Sequence, residues 1–456
     1  MAYEKVYTKN EIKEIIKMIL GKTFGEINNF QIKADLFNKG SFGHILEEDV
    51  FHYGKNSKSA PDFESAGIEL KMTPYKMNKN GTISAKERLV LNIINYMEEY
   101  KHEFYDSHFW YKNKQIQLVW YKHEDDKLKK DFRITHELLF KFPEEDLNII
   151  INDWYTIINK IKAGKAHELS EADTMYLGAC TKGLNASSVR KQPFSDIMAK
   201  QRAFCLKTSY MTQLVRWYIG KENLEKVCPK INDDISFEQQ LNNILLQFKG
   251  KSVDELCKIF NINSKAKNKN EIILARMLGI KGKVAATDEF VKANIVPKTI
   301  VIESNGKIKE SMSFPTFKFT DIVNEEWETS RLFDMFSTTK YMFVVFKKYD
   351  GDCRFEKVKF WNMPIDILDT LVKDVWCKTK DVINYGNIVS EIKGEKRITN
   401  FPKMSNNPVC HVRPHGNNAE DTYPLPVADL KTGLNEYTKH CFWLNSSYVL
   451  KIISED

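Results

Sequence analysis

The chain lacks any apolar run of membrane-spanning length, and its opening residues, Met1 to Lys5, carry no signal-peptide core. No membrane partner is expected, and a cytoplasmic location is the default. Eight cysteines, at 180, 205, 228, 257, 353, 377, 410 and 441, include no Cys-x-x-Cys pair, so a zinc ribbon and a dithiol redox motif both lack their spacing. Reduced, mostly buried thiols are expected. Cys410-His411 with His415, and His440-Cys441, are the remaining metal-ligating combinations, weighed against ordinary packing. Proline is scarce at 13 residues, and no strong charge bias exists: 68 basic against 61 acidic side chains give +7, which permits a polyanionic partner without requiring one. What is present is the composition of a folded protein, 42% hydrophobic, 12% aromatic and 28% charged, and 456 residues suggest two or three domains.

Thr8-Lys-Asn-Glu11 reads as a capping box, with Ile12, Ile15, Ile16 and Ile19 at helical spacing behind it and Gly21 as the stop. In Asn38 to Val50, Phe42, Ile45, Leu46 and Val50 line one helical face, with Glu47 beside it. A strand is expected near Pro61 to Thr73, then a polar turn at Asn78 to Gly81. A helix is expected from Ser84 to about Tyr100, with Leu89, Ile93, Tyr96, Met97 and Tyr100 in register. Gln115 to Tyr121 reads as a strand. Pro143 starts a long helix striped by Leu147, Ile150, Trp154, Ile157 and Ile161. Strands and helices mix throughout, which points to an α/β or mixed α+β fold.

The candidate chemistry lies in Pro61 to Thr73. On a strand, Ile68, Leu70 and Met72 share one face while Glu69 and Lys71 share the other, and Asp62 arrives from the preceding turn. Two carboxylates and an ammonium suit metal-assisted phosphodiester hydrolysis, because oxygen ligands hold a hard cation and a lysine orients water or offsets phosphoryl charge. The same spacing also describes an exposed strand face with a salt bridge. Glu47 is close enough in the chain to join the cluster, or to be a solvated helix glutamate. Downstream, between Tyr176 and Tyr210, a basic turn at Leu177 to Gly183 and the segments Arg190 to Gln192 and Lys200 to Arg202 could grip phosphates.

The second half repeats the order of the first. Gly21-Lys-Thr-Phe-Gly-Glu-Ile27 is echoed by Gly250-Lys-Ser-Val-Asp-Glu-Leu256, and Ala66 to Lys71 by Ala293 to Lys298. The Pro143 helix is echoed by the Pro364 helix, and Ala203 to Tyr210 by Cys441 to Tyr448, with Phe204 set against Phe442. In the second copy Glu69 becomes Val296, Pro297 is expected to disturb the strand, and Ala275 or Met277 stands near the place of Glu47. That copy is therefore expected to keep the fold and lack hydrolysis. Its loop Cys410 to Gly416, set against Cys180 to Gly183, keeps groups able to touch DNA, with Arg413 a candidate for guanine.

Lys39-Gly-Ser-Phe-Gly-His-Ile-Leu-Glu47, with Asp62 and Glu69-Leu-Lys71, resembles the active site of the mismatch-repair nicking endonuclease MutH. The tandem arrangement, and Lys86 to Tyr96, are similar to type II restriction endonucleases that cut at GATC and carry a second MutH-like domain. The resemblance implies two tandem restriction-endonuclease-like domains, each a central mixed sheet flanked by helices: residues 1–225 catalytic, residues 226–456 inactive, DNA-binding and allosteric. It implies that Asp62 and Glu69 bind Mg2+, Glu47 supports the metal shell and Lys71 organises the attacking water, leaving 5′-phosphate and 3′-hydroxyl ends. Thr181, Lys182, Lys207, Arg413 and His415 are the implied DNA contacts. The family's base-reading Arg-Pro-Lys is matched only at Lys182 in the first copy and at Arg413-Pro414 in the second. The expected partners are double-stranded GATC DNA, including two sites at once, and a cognate methyltransferase. A methyl-directed repair nickase and a non-catalytic DNA-binding regulator are the alternatives.

Overall fold

The computed structural model describes residues 6–27, 41–52, 60–183, 187–227, 235–263, 265–266, 268–394 and 396–455. The sequence expectations for Asn38 to Gly40 and for Cys228 lie outside them. The chain divides into two compact units, Met1–Phe237 with Ala286–Asn294, and Glu238–Ala285 with Ile295–Asp456. Among the described residues no helix is long and apolar enough to cross a membrane.

In the first unit, strands β1 (Glu69–Met77), β2 (Ile83–Ala85), β3 (Leu89–Ile93), β4 (Ile116–Lys122), β5 (Arg133–Phe140), β6 (Leu177–Thr181), β7 (Val189–Gln192), β8 (Ser195–Lys200) and β9 (Arg202–Leu206) form three sheets. The central one runs β2-β1-β4-β5 and is mixed: β1 and β4 are parallel, whereas β2 and β5 pair antiparallel to their neighbours. A second, antiparallel sheet runs β3-β9-β6, and β7 and β8 form a hairpin. Helix α1 (Lys9–Ile19) starts at the Thr8–Glu11 capping box and buries Ile12, Ile16 and Ile19. Those isoleucines pack with Ile68 and Leu70, and with Val119, Tyr121 and Ile134 of the central sheet. Helix α2 spans Phe24–Ile27, and α3 (Ser41–His44) runs on into a π-type turn, Ile45–Val50, whose Ile45 and Leu46 join the same core. Helix α4 spans His108–Asn113, α5 Glu144–Lys162 and α6 Thr208–Tyr218.

The helix expected over Ser84 to Tyr100 is absent. Leu89 and Leu91 are buried while Val90 and Asn92 are half-buried, a period of two, and Leu89 and Val90 pair with Leu206 and Cys205 of β9. The helical stripe and the strand alternation coincide in so short an apolar run, and the partner strand decides between them.

The second unit repeats this plan. Strands β10 (Ile295–Ile302), β12 (Lys340–Tyr349) and β13 (Asp352–Trp361) reproduce β1, β4 and β5, parallel then antiparallel. Strands β11 (Met312–Phe317), β16 (Cys410–Pro414) and β19 (His440–Leu444) form a sheet in the order β11-β19-β16. Two hairpins, β14 (Val389–Lys393) with β15 (Lys396–Thr399), and β17 (Thr422–Pro424) with β18 (Glu436–Thr438), complete the strands. The repetition reaches single hydrogen bonds. Gly21 N–H donates to Ile134 and Gly250 N–H to Phe355, both at 2.8 Å, while Arg133 and Arg354 donate to the carbonyls of Gly21 and Gly250. Pro297 does not break its strand: among the described residues β12 is the one strand that pairs with β10, which makes β10 an edge strand, where a proline's missing N–H costs little.

Candidate active site

The loop from Asp62 to Glu69 closes on itself. Phe63 N–H donates to the Ile68 carbonyl at 2.9 Å and Ile68 N–H donates back at 3.2 Å. Between them a short 3-10 turn, Glu64–Ala66, ends on Gly67 at φ +64°. A Cβ at Gly67 would meet nothing closer than 3.9 Å, so the backbone angle rather than space calls for glycine. This closure sets the two carboxylates side by side: Asp62 N–H donates to Glu69 Oε2 at 3.2 Å, and Leu70 N–H donates to Asp62 Oδ2 at 2.9 Å. With Ile68 and Leu70 committed to the core, alternation turns Glu69 and Lys71 to the other face, where Lys71 Nζ lies 2.7 Å from Glu69 Oε1.

Glu69 is 1% exposed, and burial pushes its carboxyl above the usual range; Lys71 pulls it down and Asp62 pushes it up again. Burial works against the Lys71 ammonium, yet Glu69, Asp62 and Glu47 together raise its pKa, so it stays charged at neutral pH. Glu47, from the π-type turn, is raised by burial, relieved by His44 at 3.4 Å, and raised again by Asp62. A further cation was not visible in the sequence: Lys112 of α4 reaches within 3.5 Å of Glu69 Oε2 and donates to the Ala60 carbonyl at 3.1 Å. It is far from the motif along the chain, and only the packing of α4 brings it there.

The donor set fits a hard dication. Two carboxylates share one hydrogen-bonded loop, and burial and the neighbouring Asp62 disfavour the charge on Glu69, a cost that a bound cation would offset. Among the described residues no three His, Cys, Asp or Glu side chains gather into a ready-made metal cluster. Such an ion would therefore rest on Asp62 and Glu69, with water and phosphate oxygens completing its shell, as Mg2+ ordinarily binds. The cysteine-histidine combinations are packing groups instead: His411 bonds Asn445 at 2.6 Å, His440 bonds the Thr438 carbonyl at 2.7 Å, and Cys410 and Cys441 are buried. Each of the seven described cysteines has a free thiol.

The family described as DNA mismatch repair enzyme MutH matches residues 51–153, the segment that holds Asp62, Glu69, Lys71 and Lys112. Type II restriction enzyme Sau3AI of Staphylococcus aureus is 36% identical over 99% of both chains. The chain belongs to the MutH-like type II restriction endonucleases. DNA mismatch repair protein MutH of Vibrio campbellii is 25% identical over 47% of this chain and 96% of its own length. The single-unit MutH protein thus matches about half of this restriction endonuclease.

Strand register in the MutH-like endonuclease aligns the two antiparallel sheets residue by residue. Leu177 to Thr181 face Leu206 to Arg202, and Cys410 to Pro414 face Leu444 to His440. Setting Leu206 on Leu444 places Cys180 on Arg413, Thr181 on Pro414, Lys182 on His415 and Cys205 on Trp443. Thr181, Lys182, Arg413 and His415 are all exposed. Arg413 lies over the Trp443 ring, 4.6 Å from its centroid, and His415 meets that ring edge-on at 5.3 Å. Lys207 differs from its expected role as a DNA contact. It is 2% exposed and its ammonium donates to the Thr174 carbonyl, so it holds the interior together.

Proposed function

We propose that this type II restriction endonuclease cleaves double-stranded DNA at GATC with Mg2+, leaving 5′-phosphate and 3′-hydroxyl ends. Residues 1–225 carry the chemistry, and residues 226–456 form an inactive DNA-binding half that activates the first. The observation that carries the reading is the Asp62–Glu69–Lys71 constellation, two hydrogen-bonded carboxylates with an ammonium 2.7 Å from one of them. Asp62 and Glu69 would hold the ion, which supplies Lewis-acid relief of charge on the phosphoryl oxygens. Lys71, charged and anchored on Glu69, would orient the water for in-line attack and take up part of the developing negative charge. Glu47 steadies the ammonium by its own charge. Lys112 draws the Glu69 carboxyl down, against the rise that burial causes.

In the second unit Val296 stands where the register and sequence echo place Glu69, while Lys298 remains, its pKa lowered by burial and raised again by Glu271. Without that carboxylate the pair of oxygen donors formed by Asp62 and Glu69 is not reproduced there for a hard cation. The Staphylococcus aureus restriction enzyme supports double-strand cutting over nicking, because its likeness spans both halves. Plasmid carrying GATC sites, incubated with purified protein and Mg2+, is expected to yield linear fragments with ends at GATC. Nicked circles alone would favour a repair-type nickase, and intact plasmid would favour a DNA-binding regulator. A cognate methyltransferase is the expected partner in the host, since unprotected GATC sites would otherwise be cut.

A further inference from the structure

The catalytic unit lacks an arginine where the second unit carries Arg413, for strand register puts Cys180 there. The same face of its β3-β9-β6 sheet gains one from elsewhere. Arg88 stands one residue before β3, and by strand alternation it shares a face with Val90, which packs on Cys180, Ala203 and Cys205. Its charge acts on both the Cys180 and Cys205 thiols, which occupy the positions of Arg413 and Trp443. Arg88 pairs with Glu171, and its side chain keeps 31% of its surface exposed.

Glu171 in turn packs tightly on the glycine beneath it, and a larger residue there would press its side chain aside. A Cβ at Gly178 would lie 3.2 Å from Glu171 Cγ and 3.4 Å from Cys205 Sγ. The register partner of Gly178 in the second unit is His411, which lies parallel to Trp443 with ring centroids 6.4 Å apart. Each unit thus builds a clamped guanidinium on the same sheet face. In the second unit the clamp is an aromatic ring under Arg413; in the first it is a carboxylate on Arg88, admitted by Gly178.

We infer that Arg88 is the specificity-determining arginine of the catalytic unit and that it reads a guanine edge beside Lys182. This rests on the proposed sequence-specific cleavage. A guanidinium has five N–H donors in a planar fork, so an ion pair anchors the group and fixes its plane, which two-point recognition of guanine O6 and N7 requires. A lysine at this place keeps the charge, and hence any phosphate contact, but loses the fork.

The test uses the full chain and a pool of duplexes with a randomised central site. The parent, Arg88→Lys, Arg88→Ala and Glu171→Gln are compared, each also with Arg413→Ala so that readout by the second unit does not mask the first. Sequenced cut ends and retained duplexes give base preferences, and thermal melting reports the fold. Arg88→Lys is expected to lower the preference for guanine at one position about 10- to 100-fold, with melting temperature and salt dependence of binding unchanged. Glu171→Gln is expected to weaken the same preference by less. Unchanged base preferences in both Arg88 variants would overturn the inference. So would a uniform loss of activity shared with Glu171→Gln and accompanied by a lowered melting temperature, which would make the pair structural. A parent protein with no base preference at all would instead remove the proposed sequence-specific function on which the inference stands.

Discussion

Glu69 carries a carboxylate in the protein interior, 1% exposed, and Lys71 and Lys112 offset part of the cost of its charge. Removing it leaves Asp62 alone to hold a cation, so Glu69→Ala is expected to lower cleavage by at least about a thousandfold while DNA binding persists. Lys112→Ala removes the weaker counter-ion, and its expected cost is about tenfold in kcat, read in a single-turnover assay against the parent. Away from the site, His440 is 1% exposed, and burial lowers its pKa from 6.5 to about 4, with the Thr438 carbonyl opposing the fall. A base whose folded pKa is depressed favours the folded state above the unfolded pKa. The unfolded chain takes up the proton first as pH falls, so stability is lost between about 6.5 and about 4. At pH 5 the expected loss from this group is about 2 kcal/mol relative to pH 7. Denaturant titrations at the two pH values check it, and His440→Gln is expected to flatten the difference.

At the scale of elements, what the sequence reveals depends on whether local pattern and tertiary partner agree. Helix α1 is legible because Thr8 and Glu11 cap it and three buried isoleucines recur at its spacing. The alternation of Glu69 and Lys71 against Ile68 and Leu70 is legible for the same reason. Strand β3 is not, because Leu89, Ile93 and Tyr96 satisfy a helical stripe as well as a strand, and only β9, far along the chain, selects the strand. Lys112 and the Arg88–Glu171 pair reach their places through packing between elements, which no local spacing records. The turn at Gly21 and its echo at Gly250 were legible as a repeated Gly-Lys-Thr/Ser, and both take φ near +80°, at +83° and +81°. A Cβ at either would meet nothing within 4 Å, so the cost of alanine is backbone strain alone. Gly21→Ala and Gly250→Ala are each expected to destabilise their own unit by about 1 kcal/mol, seen in thermal melting. Markedly unequal losses would argue against equivalent turns.

For the whole molecule, the proposed reading of a duplicated fold with one complete carboxylate pair is that cutting and recognition are separated. The second unit keeps its sheet, its turn at Gly250 and an exposed, ring-backed Arg413, but has Val296 in place of the carboxylate. If that half activates the first by holding another copy of the site, DNA with two GATC sites is expected to be cut several-fold faster than DNA with one. A short GATC duplex added in trans is expected to rescue the one-site rate, and Arg413→Ala to abolish the difference. Equal rates on both substrates would contradict activation. The proposed function stands or falls with Asp62, Glu69 and Lys71 as the cutting centre. The most direct measurement is Mg2+-dependent digestion of a GATC plasmid by the parent protein and by Glu69→Ala, with every cut end sequenced. The account predicts linear fragments ending at GATC from the parent and uncut plasmid from the variant. Cleavage by Glu69→Ala at the parent's rate would contradict it.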